Sequence, residues 1–120
     1  MASALRFLVV EDEYLIALLI EDYLHDLQHE VAAVAANLTE ALNAARQGSF
    51  DAALLDLQLG GASSFPIADT LYRRGIPFAF VTGRVPDDMP AAYAAVPVLR
   101  KPFYPDDFAA IIARLLPADG

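Results

Sequence analysis

Short apolar runs alternate along this chain with stretches of helical periodicity, and that alternation restricts the architecture more than any single motif. Residues 5–10, "LRFLVV", are too short for a helix and suit a strand buried on both faces. From Glu13 to Leu27 the period becomes helical, with Ile16, Leu19, Ile20, Tyr23 and Leu27 on one face and Leu15 and Leu18 turned away from it. "EVAAV" (30–34) reads as a second strand, and Asn37 or Thr39 caps a helix to about Arg46 that Gly48 stops. "DAALLD" (51–56) is a third strand, followed by "LGGASS" as a flexible turn and a helix from Ser64 through Arg74 to Gly75. After Pro77 comes the fourth strand, "FAFVT". Gly83, Pro86 and Pro90 then leave room only for a short helix over about Asp88 to Ala95. "PVLR" is the fifth strand, and a last helix runs from Pro105 or Asp106 to Leu116 on the stripe Phe108, Ile111, Ile112 and Leu115.

Five strands alternating with helices imply an α/β fold, a doubly wound five-stranded parallel sheet with helices on both faces and right-handed crossovers, its fourth helix shortened. Residues 1–120 suffice for one domain with its own core and not for two. A formal net charge of −8 disfavours nucleic acid and anionic membrane as partners. Cysteine is absent, no apolar run is long enough to span a bilayer, and no signal-peptide pattern opens the chain, so a cytoplasmic location is expected. Met1 and the tail "PADG" read as natural ends.

The strand ends carry the chemistry. Glu11 and Asp12 follow the first apolar run, Asp56 ends "AALL", Thr82 ends "IPFAFV", and Lys101 follows "PVLR". In a parallel sheet these side chains gather at the carboxyl edge, where open α/β sheets bind ligands. Singly, each is an ordinary cap or turn residue. Together, three carboxylates repel unless a cation joins them, and Mg²⁺ accepts one or two carboxylates with water and phosphate oxygens. Lys101 can reach Asp56 and a phosphoryl oxygen as a point charge, and a cis Lys101–Pro102 bond would aim it inward. Gly83 leaves room for a phosphate beside the Thr82 hydroxyl. Asp51 opens its strand at the opposite edge and reads as structural; His25 and His29 have no partners at metal spacing and read as surface residues.

The pieces "FLVVEDE", "ALLDLQL", "FAFVTG" and "LRKPF", in this order and spacing, resemble the receiver domain of two-component response regulators over essentially the whole chain. The resemblance implies a flavodoxin/CheY-like (βα)5 fold with Asp56 as phosphoacceptor, acting with Thr82 and Lys101. It implies Mg²⁺ as cofactor, held by Glu11, Asp12, Asp56 and the backbone carbonyl of Gln58. A histidine kinase or phosphotransfer protein would donate the phosphoryl group, and altered contacts with a downstream protein of unknown identity would carry the signal. Such a protein is not an enzyme in the ordinary sense, since it catalyses only its own phosphorylation and dephosphorylation.

Receivers usually carry Tyr or Phe three residues before the lysine; here Val98 stands there, and the interval from Thr82 to Lys101 is short. With "PFAFVTG", these departures resemble the single-domain response regulators with the PFxFATG[G/Y] signature, which partner kinases of the HWE or related type. Val81 and Arg84 depart from that signature. Gln58 and Arg84 fall where receivers flank the attacking water, so they are expected to tune phosphoryl lifetime. Leu15, Leu18, Phe103 and Tyr104 are expected to form an apolar docking patch for the kinase helical bundle. Two alternatives compete: an Mg²⁺-dependent aspartyl-phosphate phosphatase, disfavoured because Gln58 replaces the acid such enzymes need two residues after the nucleophile, and a pseudo-receiver interaction module.

Overall fold

A computed structural model describes residues 4–117; of the chain ends discussed above, Met1 and residues 118–120 of the tail lie outside the described residues. The elements are β1 (Arg6–Val10), α1 (Tyr14–Asp26), β2 (Glu30–Ala35), α2 (Leu38–Gln47), β3 (Ala52–Asp56), β4 (Gln58–Leu59), β5 (Ala62–Ser63), α3 (Phe65–Arg74), β6 (Phe78–Thr82), a single 3-10 turn (Ala91–Tyr93), β7 (Val98–Arg100) and α4 (Pro105–Leu115). Five strands form one parallel sheet in the order β2-β1-β3-β6-β7, the expected flavodoxin/CheY-like arrangement. The register pairs Asp56 with Val81 and Thr82 with Arg100, so the polar strand ends lie side by side at one edge.

The alternation of side chains explains why both faces need helices. Leu8, Val10, Ala53, Leu55 and Phe80 point to one side and pack with Ala41 and Ala45 of α2 and Ile67, Ala68 and Leu71 of α3. Phe7, Val9, Leu54, Ala79 and Val81 point to the other and pack with Ile20 and Leu24 of α1 and Phe108, Ile112 and Leu115 of α4. Fully burying each large apolar side chain contributes about 1.5–3 kcal/mol. The two layers together fix the strands from whose ends the edge residues project.

Local signals mostly worked as read. Asn37 Oδ1 accepts the Glu40 N–H at 2.9 Å, which caps α2 and decides against Thr39, and Glu40 Oε1 accepts the N–H of Ala36, just before the cap, at 3.0 Å. Gly75 ends α3 with φ 70, a left-handed conformation that glycine adopts without a Cβ clash. Asp51 Oδ2 accepts the Arg6 N–H at 2.8 Å at the far edge, a structural role.

Three expectations are corrected and one is extended. The apolar face of α1 packs as read, with Ile20 buried and Ile16, Leu19, Tyr23 and Leu27 half-buried against the α1–α4 layer, and Ala17 and Leu24 are buried as well. The fourth crossover carries no α-helix, only the 3-10 turn, since Pro86 and Pro90 withhold backbone donors where a helix would start. "LGGASS" is no loose turn: β4 and β5 form a hairpin in which Gly60 (φ 55) and Gly61 (φ 87) supply the two positive φ values of a type I′ turn. His29 is buried rather than superficial. Its Nδ1 accepts the Leu5 N–H at 3.0 Å, its ring meets Phe7 edge-on, and burial lowers its pKa. His25 is exposed as expected.

Candidate functional site

At the carboxyl edge the chain turns out of β1 through Glu11, Asp12 and Glu13, out of β3 at Asp56, out of β6 at Thr82 and out of β7 at Lys101. The Lys101 N–H donates to the Thr82 carbonyl at 2.8 Å, which carries the β6–β7 ladder one residue further and fixes where the lysine leaves the sheet. The Lys101–Pro102 bond is cis. Lys101 Nζ lies 2.9 Å from Glu11 Oε1, 3.2 Å from Asp56 Oδ2 and 3.4 Å from Glu13 Oε1. The Glu11 contact is the closest ion pair of the three, and that to Asp56 is a hydrogen bond as well.

The site thus brings together Glu11, Asp12, Asp56 and Lys101, and adds an acid that the sequence reading passed over. Glu11, Asp12, Glu13 and Asp56 each present a carboxylate oxygen, all within 4.8 Å of one another. Glu13 sat in plain view in the run "EDE". Its signal was adjacency to the acid pair, and its role became visible only through Lys101, 88 residues away.

Charge balance is the governing feature. Four carboxylates face one ammonium. Burial pushes the Glu11 carboxyl up to about 7, against the opposing pull of Lys101 and the Glu13 N–H. Burial would lower the Lys101 ammonium, but Glu11 and Asp56 outweigh it and the net direction is upward, so the lysine stays charged. Such a surplus of carboxylates, Glu11 and Asp56 buried and Asp12 and Glu13 exposed at the rim, fits a hard divalent cation such as Mg²⁺. Glu11, Asp12 and Asp56 are placed to hold one. Gln58 lines the same cavity, and its N–H donates to Asp56 Oδ1 at 3.1 Å. Asp12 is further steadied by the Gly60 N–H, which donates to its Oδ2 at 2.9 Å and ties the glycine hairpin to the acid pair.

The cavity, about 800 Å³, opens over Asp56 and is bounded on the far side by Thr82, Gly83 and Arg84. No Cβ at Gly83 would meet a neighbour, so the space beside Thr82 is open. The Thr82 hydroxyl is not aimed at Asp56: it donates to the Arg84 carbonyl at 2.9 Å and accepts the Arg84 N–H at 3.2 Å.

Of the expected docking residues, Leu15 and Tyr104 are strongly exposed and Leu18 more weakly so. Phe103 is not part of that patch. It is 6% exposed, stacked on Phe108 at 5.9 Å and edge-on to Tyr23 at 5.9 Å, so it completes the α1–α4 layer. A large aromatic directly after the Lys101–Pro102 pair turns inward because the chain is returning to the sheet to begin α4.

A parallel sheet with a carboxylate, an acid pair, a hydroxyl and a lysine at adjacent strand ends defines a receiver of two-component signalling. The family model for the response regulator receiver domain matches residues 7–113, and the chain belongs to that family. SdrG from Sphingomonas melonis Fr1 is similar at 40% identity and a TM-score of 0.83, over 96% of this chain and 98% of that one. The response regulator PhyR from Brucella abortus is similar at 33% identity and a TM-score of 0.81, over 96% of this chain and 49% of that one. The phyllosphere-induced regulator PhyR of Methylorubrum extorquens (strain AM1) is 32% identical over 118 residues, 94% of this chain and 44% of that protein. The chain therefore spans less than half of that curated relative.

Proposed function

We propose that this receiver takes a phosphoryl group onto Asp56 from a phosphohistidine of a partner histidine kinase or phosphotransfer protein, and signals through altered protein contacts. A carboxylate oxygen of Asp56 attacks phosphorus, an O–P bond forms, and the N–P bond of the donor breaks. The electron pair stays on the imidazole, which regains a proton from solvent. Lys101, held 3.2 Å from Asp56 Oδ2, moves from pairing a carboxylate to pairing a phosphoryl oxygen. Glu11, Asp12, Asp56 and the Gln58 carbonyl would hold Mg²⁺, which when bound neutralises charge on the transferring oxygens. Water later attacks the phosphorus, the O–P bond breaks, and Asp56 and inorganic phosphate are released. Asp56 is restored without turnover of a separate substrate, so the protein acts as a signalling receiver rather than an enzyme.

The observation that carries this reading is the Asp56–Lys101 pair inside a four-carboxylate cluster, at the mouth of a cavity wide enough for a phosphoryl group. SdrG, one of the similar proteins, is known in a BeF3-activated conformation, which is consistent with a phosphoryl-accepting aspartate. PhyR of Bartonella quintana is described as an anti-anti-sigma factor, but this chain covers about half of it, so that activity is not carried over. The "PFAFVTG" run and Val98 favour the single-domain PFxFATG[G/Y] type, with a kinase of the HWE or related type as donor and a separate protein as target. Incubation with acetyl phosphate and Mg²⁺, followed by intact-mass analysis, tests the proposal. Wild type should gain one phosphoryl group and Asp56→Asn none; no gain in wild type, or an equal gain in the variant, would refute it.

A further inference from the structure

The aromatic residue that usually couples phosphorylation to the surface is Val98 here, half-buried and without a donor. Something else must hold the crossover between β6 and β7, which has no α-helix of its own. Its 3-10 turn is anchored by Tyr93, which is 5% exposed. The Tyr93 ring stacks on Phe65 at 6.2 Å and 19° and meets Phe78 at 5.8 Å and Phe80 at 6.0 Å edge-on. Phe78, Phe80 and Thr82 alternate on one face of β6, so the ring rests on the strand that ends at the threonine. The Tyr93 hydroxyl donates to Asp69 on α3. Burial and the Asp69 carboxylate raise this phenol to about 12, so it keeps its proton at physiological pH.

At the other end of the same segment, both hydrogen-bonding functions of the Thr82 hydroxyl are engaged by the Arg84 backbone. A phosphoryl group on Asp56 that recruits the Thr82 proton must take it from the Arg84 carbonyl. That carbonyl is then left without its partner, and the chain from Gly83 towards Tyr93 keeps only the Arg84 N–H bond to the Thr82 oxygen as its tie at the site. The segment is therefore tied at two points, by the Thr82 hydroxyl at the site and by the Tyr93 phenol, which donates to Asp69 of α3.

We propose that the Tyr93–Asp69 hydrogen bond is the latch that takes the place of the missing aromatic switch: it holds the β6–β7 crossover against α3, and it yields when Thr82 changes partner. The proposal rests on the phosphoacceptor reading of Asp56. The latch accounts for signal transmission without a rotating aromatic at Val98, because the moving part is the crossover itself and the changed surface is its junction with α3.

Hydrogen exchange read by mass spectrometry over residues 84–96 and 66–74 tests it, with Mg²⁺, before and after acetyl phosphate. Phosphorylation of wild type should speed exchange of 84–96 by about tenfold, the loss of a hydrogen bond of about 1.4 kcal/mol. Tyr93→Phe, which keeps the ring and drops the hydroxyl, should show that faster exchange before phosphorylation and change little after it. Asp69→Ala should behave like Tyr93→Phe, whereas Asp69→Asn, which retains an acceptor oxygen, should behave like wild type. Exchange in unphosphorylated Tyr93→Phe equal to wild type would overturn the latch, as would exchange in wild type that phosphorylation leaves unchanged. Intact mass of the same samples separates the two layers: no phosphoryl gain in wild type sinks the phosphoacceptor reading and the latch with it, whereas a gain without altered exchange sinks the latch alone.

Discussion

Replacing Glu11 by Gln should make the metal-free protein more stable at neutral and alkaline pH, although it removes the closest partner of Lys101. Glu11 has a fully buried side chain, and its carboxyl is pushed from 4.5 to about 7 even with the ammonium 2.9 Å away. Burial therefore outweighs the ion pair. A carboxyl whose folded pKa lies above its unfolded one holds its proton longer in the folded chain. Stability is then full below about 4.5 and falls as pH rises through 7, by about 3 kcal/mol in all. The isoelectric point near 4.4 makes the acid end prone to precipitation, so the useful window starts near pH 5.5, where about 2 kcal/mol of that loss is still to come. Urea unfolding in EDTA, followed by far-UV circular dichroism from pH 5.5 to 8.5, reads the difference directly. The Glu11→Gln curve should rise above wild type as pH increases. Adding Mg²⁺ at pH 8 should stabilise wild type, by about 2.7 kcal/mol at a hundredfold excess over Kd, and Glu11→Gln by less. Parallel curves for the two proteins, or a variant weaker than wild type at pH 8, would show that burial does not dominate Glu11 and would refute the charge-surplus argument.

Other outcomes follow from the same structure. Phe103→Ala should destabilise the fold by about 3–5 kcal/mol in urea unfolding, as a core aromatic does, instead of selectively weakening a partner contact. Leu15→Ser with Leu18→Ser should slow phosphotransfer from the kinase several-fold while leaving labelling by acetyl phosphate intact; equal loss of both would point to a damaged fold. His29 has its pKa lowered by burial, which favours the neutral ring in the folded chain. It contributes stability above its unfolded pKa of 6.5 that disappears as pH falls through the lower folded value. His29→Gln should therefore flatten the stability profile below about pH 6.5, and an unaltered profile would exclude His29 as its source.

The parallel five-stranded sheet and the meeting of Glu11, Asp12, Asp56 and Lys101 at its edge were legible in the sequence, because each apolar run is short, buried on both faces and cut off by a polar residue. What could not be read was decided by packing across the sheet. Phe103 and Tyr104 are adjacent aromatics on one loop, yet one fills the α1–α4 layer and the other is exposed. Leu24 and Ala17 of α1 are buried beside the expected stripe, which only the seating of the helix on the sheet decides. His29 looked superficial because its partner, the Leu5 N–H, lies 24 residues earlier. Glu13 and the Tyr93–Asp69 pair were hidden for the same reason: their partners are remote in sequence and carry no motif.

Everything functional depends on the acids and the lysine sharing one cation-binding pocket around Asp56. Mn²⁺, which also favours oxygen ligands, reports on this when titrated into ¹⁵N-labelled protein, since it broadens nearby amide signals. The account predicts that amides around 11–13, 56–60, 82–84 and 101 broaden together at low Mn²⁺, and that Mg²⁺ reverses the effect by competition. Broadening centred instead on exposed acids such as Asp106 and Asp107, with the signals around Asp56 unaffected, would contradict it.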